Sequence, residues 1–290
     1  MRVALLAAAD SWYARDLIRA AGNRHQLQSM AFSQICSLVQ QDRVDALVDG
    51  VSLTNFAAIL VRTMPPGSLE QVVFRMDVLG RLEAQGACVV NPPRAIECAV
   101  DKYLSLVRLR DEGLDVPRTF LCQTADDALA AFDELNGDVV VKPLFGSEGR
   151  GICRVSDPDL ALRTFKTLER LDAVLYLQEY LPHEGADLRL LVIGDDVFGM
   201  RRRHASDWRT NVSRGAVAEP LLVDPPLRQI ALRATRAIGA LVAGVDLLPA
   251  QSGKLVAIEV NAVPGWRALS QVTGVDIAAR VLDFLETLVD

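Results

Sequence analysis

An α/β fold of more than one packed lobe is expected, on three observations. The first ninety residues alternate short apolar runs with helical stretches. The chain has 290 residues and is 50% hydrophobic, more than a single core of ordinary size holds. Near its end, two apolar strands carry isolated acidic and amide side chains.

The alternation comes first along the chain. Apolar runs at 3–8, 46–48, 58–61 and 88–90 read as strands, and 13–21 and 69–85 as helices. Strand–helix alternation of this kind predicts a small lobe around a mainly parallel sheet. The opening MRVALLAAAD has the look of a short signal peptide, but its apolar run stops at Asp10 and is taken as a buried first strand. Asn91-Pro92-Pro93 interrupts the pattern and marks a lobe boundary. Helices are expected over 95–113, followed by an extended stretch at 116–120. Thr124-Ala125-Asp126-Asp127 resembles a capping box opening another helix. A strand over 138–142 ends in Lys142, a loop with Gly146, Gly149 and Gly151 follows, and a second strand covers 152–155. Next come a helix over 159–171, a strand over 173–180, and a hairpin, 188–193 with 197–200, turned at Gly194-Asp195-Asp196. A long helix is expected over 226–242 and a closing one over 277–289.

Composition narrows the function. With 31 basic and 37 acidic residues the net charge is −6, which argues against a general binder of nucleic acid or of anionic membranes. No run approaches the ~20 apolar residues that span a bilayer. Cys36, Cys88, Cys98, Cys122 and Cys153 are odd in number and lack CxxC spacing. They read as reduced core thiols of a cytoplasmic protein, not as a zinc site or a disulfide frame.

The two acidic strands come from GVDLLPAQSGKLVAIEVNAVPG, turned at Gln251-Ser252-Gly253-Lys254. Glu259 and Asn261 are two apart, so both leave one face of a strand whose other positions are apolar. Asp246 on the partner strand supplies a third oxygen. Few, hard oxygen ligands suit a magnesium ion completed by water and phosphate; a strand with one solvated polar face would show the same spacing. Lys142 with its glycine loop can cradle phosphates, although an ordinary turn reads alike. Lys102 taken alone is a surface lysine. Gln178-Glu179-Tyr180 ends a strand before Pro182, where backbone and carboxylate can meet a base and a ribose. RRRHASDWRTNVSR, from Arg201 to Arg214, holds five arginines and one Asp, an anion-handling region. Its rival reading, an RNA surface, is disfavoured by the acidic total and the single aromatic, Trp208. His183 and His204 have no spacing that suggests catalysis.

Taken in order, Lys102, Lys142 with its loop, Gln178-Glu179-Tyr180, Arg209-Thr210-Asn211, Asp246 and Glu259-Val260-Asn261 resemble the ATP-grasp superfamily. Within it the chain is similar to the RimK-type α-L-glutamate ligases through VVKPLFGSEGRGI, LQEYL, DLRLLVIGD, WRTNVSRG, AGVDLL and EVNAVPG. ILVRTMPPGSLEQVVFRMDVL and VVNPPRAIECAVDKY resemble the branch acting on pterin-type C1 carriers, such as tetrahydromethanopterin:α-L-glutamate ligases.

This resemblance implies a pre-ATP-grasp α/β domain (1–93), a nucleotide-lid subdomain (94–181) and a C-terminal subdomain with the metal site (182–290). It implies ATP and Mg2+ (or Mn2+) as cofactors, with Lys102, Lys142, Gly146, Ser147, Gly149, Gly151, Gln178, Glu179, Tyr180, Asp187, Arg209, Thr210 and Asn211 around the nucleotide. Asp246, Glu259 and Asn261 hold the metal. A small-molecule acceptor carboxylate and L-glutamate are the expected partners, in a cytoplasmic homo-oligomer. Arg203, Arg214 and Asn211 are the expected catalytic groups, the arginines steadying an oxyanionic intermediate. Alternatives are a tyramine– or tyrosine–glutamate ligase, a ligase modifying a protein C-terminus, and a non-catalytic ATP-binding regulator. Trp266-Arg267 after Pro264-Gly265, and the Arg201-Arg202-Arg203 run, depart from the usual pattern at the edge expected to line the acceptor pocket.

Overall fold

The computed structural model describes residues 1–8, 10–146, 149–212 and 215–289. Its first sheet is parallel. β1 (Arg2–Leu6) leads through α1 (Trp12–Ala21) to β2 (Gln26–Met30), and a small antiparallel sheet of β3 (Cys36–Val39), β4 (Val44–Val48) and β5 (Val51–Ser52) precedes β6 (Ala58–Val61). After α2 (Leu69–Ala84), β7 (Cys88–Val90) completes the order β2-β1-β6-β7. The first strand thus stops two residues short of the expected 3–8. The apolar run at 46–48 joins the antiparallel sheet instead of the parallel one. β2, sequence QLQSM, was not legible as a strand. It lies at the sheet edge, where polar side chains face water in alternation.

α3 (Pro93–Val100) and α4 (Lys102–Asp111) follow. The Asp101 carboxylate caps α4 by accepting from the Tyr103 and Leu104 amides, which fixes the helix start at Lys102. The second large sheet is antiparallel, ordered β10-β9-β11-β8, from β8 (Thr119–Cys122), β9 (Val139–Lys142), β10 (Cys153–Val155) and β11 (Leu175–Glu179). Its helices α5 (Ala125–Glu134) and α6 (Pro158–Arg170) pack on one face. Thr124 caps α5, accepting from the Asp127 amide as its sequence suggested.

The third sheet is antiparallel and runs β14-β13-β12-β15-β16, from β12 (Ala186–Ile193), β13 (Asp196–Arg203), β14 (Val217–Leu221), β15 (Val242–Pro249) and β16 (Leu255–Asn261). α7 (Pro225–Ala237) ends five residues before the expected 242, because Gly239 at φ 72° breaks it and the chain enters β15. α8 (Arg267–Thr273), a short helix not anticipated, and α9 (Ile277–Val289) close the fold.

Burial crosses the expected lobe limits. One apolar cluster joins Leu6 and Ile59 of the first sheet and Ile96 of α3 to Leu190 of β12 and Ala231 of α7. A second joins Leu5 and Leu17 to Ile193, Trp266 and Val281. Among the described residues, only the sheet from β8 to β11 has a core confined to its own segment, Cys122 to Leu177. All five cysteines are free, but Cys36 and Cys153 are exposed, so the expectation of core thiols holds for Cys98 and Cys122 only. Among the described residues no helix is long and apolar enough to cross a membrane.

Candidate active site

The two large antiparallel sheets and the carboxyl end of β6 wall a cleft of about 940 Å3. Strand alternation decides which residues reach it. On β12, Leu188, Leu190 and Val192 go into the core, which turns Asp187 and Arg189 to the other face. Register then carries a row of polar groups across the sheet: Asp187 lies opposite Arg202, Arg189 opposite Asp246, and Asp246 opposite Glu259. One residue further along β15 the pairing shifts, Leu247 lying opposite Ala257, and Ile258 of β16 bulges into the cleft lining. Asn261 lies opposite Gly244.

The row is a charge network. Arg189 Nη1 donates to Asp246 at 2.7 Å, and Arg202 reaches the same carboxylate at 3.1 Å. Arg202 Nε also donates to Asp187 at 2.8 Å, and its Nη2 makes a second bond to that carboxylate. Burial alone would push the Asp246 carboxyl up, but the two guanidinium groups outweigh it and hold the group below its ordinary value. Glu259 differs. It makes no hydrogen bond or ion pair with the described residues, and burial and then the Asp246 charge push its carboxyl up against Lys102, Lys142 and Arg189. A half-buried carboxylate that lacks a partner among the described residues, beside a second one, calls for a cation.

The hairpin β9–β10 with β11 forms the opposite wall. Lys142 shares a strand face with Val140 at the cleft, and its Nζ donates to Gln178 Oε1 at 2.6 Å. The Gln178 amide nitrogen donates in turn to Thr119 Oγ1 and Tyr176 Oη, so the glutamine positions the lysine. Burial pulls Lys142 down to about 8. Lys102, at the capped start of α4, donates to the Gly146 carbonyl at 2.7 Å, and burial lowers its pKa too. Glu179 accepts from the Arg118 amide at 2.8 Å. The Arg154 guanidinium stacks 3.5 Å over the Tyr180 ring.

Of the expected site residues, Lys142, Gly149, Gln178, Glu179, Tyr180, Asp187, Arg209, Thr210, Asn211, Asp246, Glu259 and Asn261 line the cleft. Lys102, Gly146 and Gly151 do not. Gly146 and Gly151 approach Pro143, and Lys102 holds the Gly146 carbonyl while its charge acts on Glu259. Ser147 and Arg214 lie outside the described residues. Arg203 does not reach the cleft, which corrects its expected catalytic role. Alternation sends it to the far face of β13, exposed and 4.0 Å from Glu219, while its neighbour Arg202 turns inward. Sequence reading also passed over Arg189 and Arg62. The first was legible as the second charged residue of the apolar strand DLRLLVI; the second had no local signal.

Among the described residues no cluster of three or more His, Cys, Asp and Glu side chains forms a metal nest. The oxygens at hand are those of Asp246, Glu259 and Asn261, whose Oδ1 accepts from the Val263 amide at 2.8 Å. Two carboxylates and an amide, one carboxylate without a partner among the described residues, fit a hard divalent cation that takes its other ligands from water and phosphate.

Gly244 makes room for this arrangement. A Cβ there would sit 2.6 Å from Arg189 Cζ. Gly244→Ala is expected to displace the guanidinium and destabilise the protein by about 1–3 kcal/mol, the usual range for overpacking. Urea unfolding checks this, and an unchanged midpoint would show that the contact is not tight.

The comparisons agree with this geometry. The RimK-like ATP-grasp domain matches residues 99–285. The chain is 31% identical to a tetrahydromethanopterin:α-L-glutamate ligase of Methanosarcina acetivorans, over 96% of each chain. It superposes with a TM-score of 0.76 on the RimK domain ATP-grasp protein of Sphaerobacter thermophilus, at 25% identity over 98% of this chain and 99% of that one. The ATP-grasp ligase PsnB, solved with a minimal precursor, Mg and ADP, shares the fold at a TM-score of 0.76 and 22% identity, over 100% of this chain and 97% of that one. The chain belongs to the RimK-like ATP-grasp family and is an ATP-dependent ligase that forms amide bonds.

Proposed function

We propose that the protein activates the carboxylate of a pterin-type C1-carrier cofactor with ATP and joins it to the amine of L-glutamate. The observation that carries this reading is the Asp246–Glu259 pair facing Lys142 across one cleft. The full-length likeness to a tetrahydromethanopterin:α-L-glutamate ligase supports the choice of substrates.

The chemistry follows from charge. A carboxylate oxygen attacks the γ-phosphorus, the bond to the β-phosphate oxygen breaks, and ADP leaves an acyl phosphate. The glutamate amine then attacks the carbonyl carbon, loses a proton, and phosphate departs. Both attacks bring electrons toward anions, so the protein must neutralise charge beforehand. Asp246, Glu259 and Asn261 would hold magnesium, which screens the phosphate oxygens when bound. Lys142, positioned by Gln178, meets the phosphates, and Lys102 holds the glycine loop over them. Glu179 and Tyr180 border the base and ribose. Arg209 and Asn211 face the acceptor, and Arg202 takes the oxyanion-stabilising role first assigned to Arg203. The free cysteines accord with a reducing cytoplasm.

ADP release against a panel of carboxylate acceptors, with and without L-glutamate, tests this reading. Release is expected only when a pterin-type acceptor and glutamate are both present. Release indifferent to either partner, or none with any acceptor, overturns it.

The lysine makes a second prediction. Phosphate binding needs protonated Lys142, which loses its proton near pH 8 in the free protein. ADP affinity is expected to be flat below pH 7 and to fall by up to about tenfold per unit above 8. Lys142→Gln should bind weakly without that slope. Titration calorimetry across pH 6.5–9.5 would show it, and parallel slopes in both proteins would contradict the assignment.

A further inference from the structure

We propose that Arg62 anchors a second, non-reacting carboxylate of a substrate, on the wall of the cleft supplied by the first sheet. Arg62 follows β6 directly, at the carboxyl end of a parallel strand, where open parallel sheets bind their ligands. It lines the cleft together with Thr63, Tyr13, Arg267 and Gln271, and it is 8% exposed.

Its charge has no partner carboxylate among the described residues. Arg189 and Arg202 each hold a carboxylate, whereas among the described residues Arg62 forms no ion pair. Nη2 donates to the Pro264 carbonyl at 2.6 Å, and Nε is buried with no acceptor. The guanidinium lies 4.3 Å over the Trp266 ring and 5.4 Å from that of Tyr13. Burial lowers its pKa to about 10. A staple between β6 and the loop after β16 needs one neutral donor. Burying a full cation for a single carbonyl bond is costly, and the imbalance is relieved when an anion enters the cleft. The planar fork matches a carboxylate, and the aromatic rings strengthen the pair by excluding water.

The subsite rests on the ligase reading above. Two substrates of that reaction can bring such a group: L-glutamate, whose carboxylates take no part in the attack of its amine, and an acceptor with a second acid. L-Glutamate is titrated into protein saturated with magnesium and ADP, and the acceptor KM is measured with the acceptor found in the panel. Wild type, Arg62→Gln and Arg62→Lys are compared, the lysine variant keeping the charge without the fork. Both variants are expected to weaken glutamate binding or raise the acceptor KM at least tenfold, with ADP affinity within about twofold. The arm that responds identifies the source of the carboxylate. A purely structural role would lower the melting midpoint and leave both arms unchanged in folded Arg62→Lys, and that result overturns the proposal. A wild-type protein that neither binds L-glutamate nor releases ADP with any acceptor removes the proposed substrates and the subsite together.

Discussion

Glu259→Ala is expected to lower ATP-dependent amide formation by at least about a hundredfold, the scale of losing one preorganised electrostatic element. The size follows from its surroundings. Asp246 is already neutralised by Arg189 and Arg202, so removing Glu259 leaves little uncompensated negative charge to attract a metal. The fold should tolerate the change, because Glu259 makes no hydrogen bond with the described residues and its carboxyl is pushed up by burial. Activity and stability are therefore expected to part: turnover collapses while the unfolding midpoint holds or rises. Coupled measurement of ADP release and urea unfolding distinguishes this from simple misfolding. Near-normal turnover would remove Glu259 from the site.

Asn91→Ala is expected to show the reverse, a loss of about 3–5 kcal/mol of stability. Asn91 is 2% exposed. Its amide nitrogen donates to the carbonyls of Val242 and Ala262 at 2.7 and 2.5 Å, and its oxygen accepts from the amides of Leu241 and Val242 at 2.7 and 2.8 Å. One side chain thus ties the end of β7 to the start of β15 and the end of β16. Truncation strands four backbone groups, each costing about 1–3 kcal/mol if left dry, partly recovered by water entering the gap. Asn91→Asp should fare no better, since its second oxygen would face two carbonyls. A loss below about 1 kcal/mol in urea unfolding would contradict this account.

Asn91 also shows how far the sequence could be read. Beside Pro92-Pro93 it looked like a boundary, and it is the residue that sews the first sheet to the third. Its partners lie 150 to 171 positions away, and no local pattern carries such a link. Arg62 is hidden for the same reason. Strongly periodic elements were legible: the closing helix at 277–289, the hairpin around Gly194, and the acidic strands with their turn. Edge strands were harder, since β2 and β14 mix polar and apolar positions. Twelve of the expected site residues line the cleft, because motif order constrains chemistry even where single residues do not. The arginines were confused because composition locates a cluster but strand parity decides which member faces inward. Arg202 and Arg203 are adjacent, and only the sheet tells them apart.

Asp246 and Glu259 are proposed to bring a divalent cation to the nucleotide phosphates. Titration of ADP with and without magnesium tests it most directly, in wild type and in the Asp246→Asn, Glu259→Gln double variant. Magnesium is expected to tighten binding at least tenfold in wild type and to change it little in the variant. An equal magnesium effect in both proteins would contradict the account, because the metal would then be held by other groups.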